Sequence, residues 1–132
     1  MALNRGYLQM YILLMIGFVL LSLSNDILLL LGKRVSLLAS VAAGALLFFF
    51  FYHLVTFIFY VKWQAPRVLF VLPVYGVISS LLFFILGITL GILNMMTAQM
   101  VFIITIISIV SALFQLGFTI FLISSFDPET YE

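Results

Sequence analysis

Two ionisable residues fall inside otherwise apolar stretches, and they are the first candidates for chemistry. Asp26 follows Asn25 near the end of the first stretch, and His53 lies about two thirds of the way along the second. An ionisable side chain within hydrocarbon is a functional candidate by default, because its burial there is costly. Near a span end, however, Asp26 could reach water, pair with Lys33 or Arg34, or cap a short helix. We expect these structural roles to outweigh proton transfer. We also expect a neutral His53 that is hydrogen-bonded to Thr56, to a backbone carbonyl or to another helix.

Polar side chains also recur at helical spacing in the fourth apolar stretch. Their spacing of 3, 3, 4 and 4 places them within about 120° of one helix face. Such a stripe more often forms hydrogen bonds between or within helices than it hydrates a pathway. The amide of Gln115 is the exception, because it needs a partner in another helix or subunit. The predicted polar stripe comprises Thr105, Ser108, Ser111, Gln115 and Thr119.

Catalytic and metal chemistry are not predicted. The chain has one His and no Cys, and its remaining carboxylates, Asp127, Glu129 and Glu132, lie in an acidic tail over 126–132. No nucleophile with its base, no pair of carboxylates and no set of metal ligands can therefore be assembled within the apolar stretches. We expect a protein that is not an enzyme and that carries no cofactor or metal.

The composition identifies the class of protein. Of 132 residues, 67% are apolar and 7% are charged, against about 45 to 50% and about 25% in soluble domains. So few charges cannot cover a water-facing surface, which excludes soluble enzymes, disulfide scaffolds and nucleic-acid binders. The sequence predicts one integral membrane domain over 1–132.

Polar breaks at 33–34, 62–67 and 94–99 divide the chain into four apolar runs. About 20 apolar residues cross the hydrocarbon core as a helix, and short loops force neighbouring helices to run antiparallel. We predict an all-α, up-down bundle of four transmembrane helices. The first run is interpreted as a helix rather than a secretory signal, because it resumes after Asp26. The predicted spans are 7–31, 35–61, 68–93 and 100–125.

Small residues predict where these helices pack, because membrane helices associate where backbones can approach closely. One face of the third span carries four of them, two in a Gly-x-x-x-Gly pattern. The start of the second span carries four more. We expect both faces to contact protein. The predicted packing residues are Ala39, Ser40, Ala43, Gly44, Gly76, Ser80, Gly87 and Gly91.

Basic residues predict the orientation. Arg5, Lys62 and Arg67 fall on the side of both termini, whereas Lys33 and Arg34 fall on the other. Because Lys and Arg favour the cytoplasmic side, the count of three against two predicts cytoplasmic termini. Trp63 is typical of an aromatic anchor at the membrane interface.

Three functions fit these features. We favour a structural or accessory subunit that packs against other membrane proteins or copies of itself, and against lipids. The second is a small oligomeric proton-coupled transporter. Here the layout resembles the small multidrug resistance family, with four spans and an essential carboxylate in the first, for which Asp26 is the candidate match. Asp26 departs from that pattern in being Asp and in its place near the helix end. The third is a membrane-organising tetraspan, since the span count and termini resemble the MARVEL-type architecture.

Overall fold

The computed structural model describes residues 4–125 and confirms an all-α bundle with short connections. Its helices are α1 (Arg5–Leu30), α2 (Ser36–Lys62), α3 (Val71–Ile92) and α4 (Ala98–Ser125), and a 3-10 turn over Arg67–Phe70 leads into α3. All four segments are long and apolar enough to cross a membrane. The chain is therefore a multi-pass membrane protein, and the ends of its helices lie within three residues of the predicted span boundaries.

The first three helices end in the same way. In each, the residue after the C-cap has a positive φ: 76° at Gly32, 54° at Gln64 and 56° at Asn94. Its N–H bonds the carbonyl three residues back, and the next N–H bonds the carbonyl five residues back, as with Lys33 and Leu28 at 2.8 Å. This Schellman pattern satisfies carbonyls that a helix end would leave unpaired. It explains how such long helices stop abruptly without proline.

The helices are arranged as two pairs, in which α1 packs mainly on α4 and α2 packs mainly on α3. The two pairs come together tightly at the closed end of the bundle, which we define by the start of α1, the 63–66 connection and the end of α4. A buried apolar cluster lies there. Its members are Leu8, Tyr11, Met15, Phe49, Tyr60, Leu69, Leu72 and Leu122.

The opposite, open end is formed by the 31–35 and 93–97 connections, and the pairs are less tightly packed there. Small side chains at the start of α2, such as Ala39 and Ala43, leave space between the pairs. Most large apolar side chains on the outside of the bundle, such as Leu82 and Ile88, are exposed. In a membrane this surface meets lipid, so its exposure does not destabilise the fold.

Candidate functional site: a polar cavity between the helix pairs

A cavity of about 520 Å³ lies between the two helix pairs and is lined by all four helices. It extends from Arg34 and Met96 at the open end to His53 and Gln115 deeper in the bundle. This volume falls within the usual range for small-ligand sites. Its walls carry polar groups in the middle of an otherwise apolar protein, which makes it the leading candidate for a binding site.

Asp26 lies in the wall of this cavity. Its side chain is 7% exposed, and the hydroxyl of Ser108 on α4 donates a hydrogen bond to its Oδ2 at 2.6 Å. The expectation that Asp26 caps a short new helix is wrong, because α1 continues to Leu30 and turns this residue toward α4. A buried carboxylate with one donor from a hydroxyl retains free acceptor capacity, which a ligand could use.

His53 lies at the inner end of the cavity and is 1% exposed. Its Nδ1 is hydrogen-bonded to the hydroxyl of Tyr11 on α1 at 2.6 Å. The ring lies against Gly76 on α3, where any Cβ would overlap the imidazole. Glycine at this position therefore lets α2 and α3 approach closely, and the His53 ring is clamped between two neighbouring helices. The expected hydrogen bond to another helix is present.

The polar stripe of α4 faces the interior. Thr105 and Thr119 bond carbonyls of their own helix, each at 2.7 Å, and Ser111 bonds the hydroxyl of Tyr75 on α3 at 2.5 Å. Gln115 lines the cavity, and no hydrogen bond joins its amide to another described residue. Within residues 4–125 no fully buried polar atom lacks a partner, so this amide is open to the cavity. Four members of the stripe therefore form the expected hydrogen bonds, namely Thr105, Ser108, Ser111 and Thr119. Gln115 has no partner in another helix within residues 4–125.

The predicted packing residues divide into two groups. Gly76 and Ser80 are buried, as expected, whereas a Cβ at Gly44, Gly87 or Gly91 would meet nothing within 4 Å. The expected contact of this second group with another helix is absent within residues 4–125. Neither Gly87 nor Gly91 lines the cavity, and the space beside both is open. Ala39 and Ala43 line the cavity, and Ser40 is exposed.

Trp63 directly follows α2 as its C-cap. Its ring stacks on Phe59 with centroids 5.2 Å apart and meets Tyr7 edge-on at 5.4 Å. It therefore lies at a helix end, where an interface anchor belongs, and also contributes to the closed end. The predicted acidic tail over 126–132 lies outside the described residues.

Searches against known protein families, curated proteins and solved structures find no match to this chain. Within residues 4–125 no group of three His, Asp or Glu side chains is arranged to hold a metal ion. The cavity walls do offer hydrogen-bonding groups, the carboxylate of Asp26 and, at the open end, the guanidinium of Arg34.

Sequence reasoning missed three contributors to the site. Tyr11, which bonds His53, belongs to a pair of tyrosines one helical turn apart, and both pair with polar residues of α2. The sequence did contain a signal for this contact: two tyrosines about one turn apart in the first span can meet two polar residues about one turn apart in the second. Ser22 and Ser79 also line the cavity. Each has a second serine close by in its helix, Ser24 and Ser80 respectively, and nothing in this spacing distinguishes them from hydroxyls that bond their own backbone, as Ser79 also does.

Proposed function

We propose that this protein is a small transporter. It binds the polar group of its ligand in the Asp26 cavity and carries that group across the membrane. The observation that supports this best is a buried carboxylate in the wall of a cavity that extends to one end of the bundle. A purely structural helix interface would gain more by filling this space with apolar side chains, because voids and buried charges both destabilise.

The charge of Asp26 indicates which group the site receives. An ionised carboxylate prefers a cationic hydrogen-bond donor, and such charge-assisted bonds are stronger than neutral ones. Ser108 occupies one carboxylate oxygen, and Ser22, Ser80 and the Gln115 amide supply further polar groups around the cavity. This set suits an ammonium group that donates several hydrogen bonds at once.

The experiment is tracer uptake into vesicles that contain the purified protein. Radiolabelled ethanolamine and methylammonium serve as probes, with and without an imposed pH gradient. We expect accumulation by the parent, and its loss in Asp26→Asn, which keeps the size of the side chain but removes its charge. Ser24→Ala is the matched control, because this hydroxyl is exposed and bonds only its own helix.

Uptake that is equal in the parent and in Asp26→Asn would contradict the proposal, as would the absence of uptake in the parent. A stimulation by the pH gradient that disappears in Asp26→Asn would further identify this carboxylate as the coupling group.

A second candidate function is the accessory subunit, and one observation favours it. Gly87 and Gly91 form a Gly-x-x-x-Gly pair on an exposed face of α3, with room for another backbone. In this role the chain would pack against a larger membrane protein or a second copy. Copurification of a stable complex in mild detergent, lost in Gly87→Leu, would support it. The MARVEL-like hypothesis rests on span count and orientation alone.

A further inference from the structure

A second cavity, the lateral groove, lies on the outside of the bundle between α3 and α4. It has a volume of about 630 Å³, and its walls are almost entirely apolar. Here α3 and α4 pack more loosely on each other than the other neighbouring helices do, which leaves the seam open. The residues that line it are Val71, Val74, Tyr75, Ile78, Ser79, Leu82, Phe83, Leu86, Ile107 and Ser111.

The lateral groove and the Asp26 cavity are adjacent. Ser79, Phe83 and Ser111 line both of them, so these three side chains form the partition between the polar interior and the surface that faces lipid. Two of the three are small. One molecule can therefore place its polar group in the cavity and its apolar chain in the groove, because only side chains separate the two spaces.

The dimensions of the groove fit a hydrocarbon chain. From Val71 to Leu86 the groove follows about 22 Å of helix, and one leaflet of a bilayer contributes about 15 Å of hydrocarbon depth. The groove extends toward the closed end, whereas Asp26 lies about 6 Å from the open end of α1. This arrangement has the polarity of a membrane lipid, with its head near one surface and its chain directed toward the other.

The cavity also offers both signs of charge to a head group. Asp26 contributes a carboxylate in the wall, and Arg34 contributes a guanidinium nearer the connections of the open end. Guanidinium groups bind phosphate oxygens well, whereas carboxylates bind ammonium groups. A free ammonium ion uses Asp26 alone, whereas a head group that carries both charges matches the two residues together.

Resting on the function proposed above, we propose that the ligand is a phospholipid whose head bears a primary ammonium group, which unlike that of phosphatidylcholine can donate hydrogen bonds. Asp26 and Arg34 hold this head while one chain lies in the lateral groove. The lipid enters sideways from the membrane between α3 and α4. The cavity thus receives a head group that stays joined to its chain, and Ser79 lies at the point where the two meet.

Photocrosslinking tests this directly. The protein is placed in phosphatidylcholine vesicles with a trace of phosphatidylethanolamine whose acyl chain carries a diazirine, and crosslinked residues are mapped by mass spectrometry. A diacylglycerol with the same diazirine chain reports unspecific contact with surrounding lipid. We expect the phosphatidylethanolamine probe to label Val74, Ile78, Leu82 or Ile107 about tenfold more than diacylglycerol does, which corresponds to one charge-assisted contact.

Three variants make the result specific. Ser79→Phe should reduce this labelling to the diacylglycerol level by closing the partition, whereas Leu81→Phe, on the same helix but outside both cavities, should leave it unchanged. Asp26→Asn should reduce it as well. Equal labelling by the two probes, or labelling that neither Ser79→Phe nor Asp26→Asn alters, would overturn the lipid assignment. If ethanolamine uptake still depends on Asp26 in that case, the transport function stands and only the lipid is wrong.

Discussion

At the scale of single residues, the hydrogen bonds of polar side chains determine which helices of this bundle meet, and His53 is the clearest case. His53 could have bonded within its own helix, but it bonds Tyr11 on α1 and lies on Gly76 of α3. These contacts tie three helices together at one level. Because membrane interiors offer no water, a polar group that has found such a partner is costly to separate from it.

The close approach at Gly76 gives a prediction for stability. Gly76→Ala should destabilise the bundle by about 1 to 3 kcal/mol, because the added Cβ would overlap the His53 ring and force α2 and α3 apart. Gly87→Ala is the matched control on the same helix, where the Cβ meets open space. Thermal unfolding in one detergent measures both. Equal melting temperatures for the two variants would show that the contact is not tight.

Asp26 shows the limit of prediction from the sequence at this scale. Its position near the end of a predicted span indicated a place at the interface, but not that the side chain turns inward and accepts a hydrogen bond from Ser108. Distance along one helix cannot reveal that α4 passes beside this turn. The polar stripe of α4 did indicate which face of that helix turns inward. Ser108, the partner of Asp26, is one of its members.

At the scale of elements, the four helices follow from the sequence because lipid imposes a minimum length on each apolar run. Their ends follow less directly. Gly32 is the residue expected at a left-handed C-terminal position, but Gln64 and Asn94 serve the same purpose. A sequence rule based on glycine alone therefore finds one of these three ends.

A substitution at Gln64, where α2 ends with a left-handed backbone, should raise the stability of the protein. Gln64→Gly should stabilise the protein by roughly 1 kcal/mol, because a left-handed backbone costs a residue with a Cβ about 1 to 2 kcal/mol. Asn94→Gly should gain less, since asparagine tolerates this conformation better. The two variants are compared by thermal unfolding under identical conditions. A loss of stability in Gln64→Gly would indicate that the Gln64 side chain makes a contact that outweighs the backbone strain.

At the scale of the whole molecule, the pairing of α1 with α4 and of α2 with α3 could not be predicted from hydropathy. Helices surrounded by lipid are apolar on every side, so the pattern that identifies the buried face of a soluble helix is missing. Small residues were only a partial guide. Gly76 and Ser80 pack inside the bundle, whereas Gly87 and Gly91 on the same face meet no other helix within residues 4–125. The cavity lies beside Gly76, Ser80 and the small side chains at the start of α2.

The basic residues also predict which side of the membrane the cavity faces. The three-to-two count of basic residues predicts that the closed end is cytoplasmic and that the open end, with Arg34 and the cavity mouth, faces outward. Single cysteines can be introduced freely because the chain has none. Gln64→Cys marks the closed end and Met95→Cys marks the open end. Both positions are exposed, and neither substitution alters the basic residues that set the orientation.

We expect a membrane-impermeant maleimide to label Met95→Cys in intact cells, and to label Gln64→Cys only after the membrane is opened. Labelling of Gln64→Cys from outside would reverse the orientation. Because the open end holds the carboxylate and the guanidinium, the same result determines the leaflet from which a lipid head first reaches Asp26. With cytoplasmic termini it is the outer leaflet, so the proposed transport would begin there and move the head group inward.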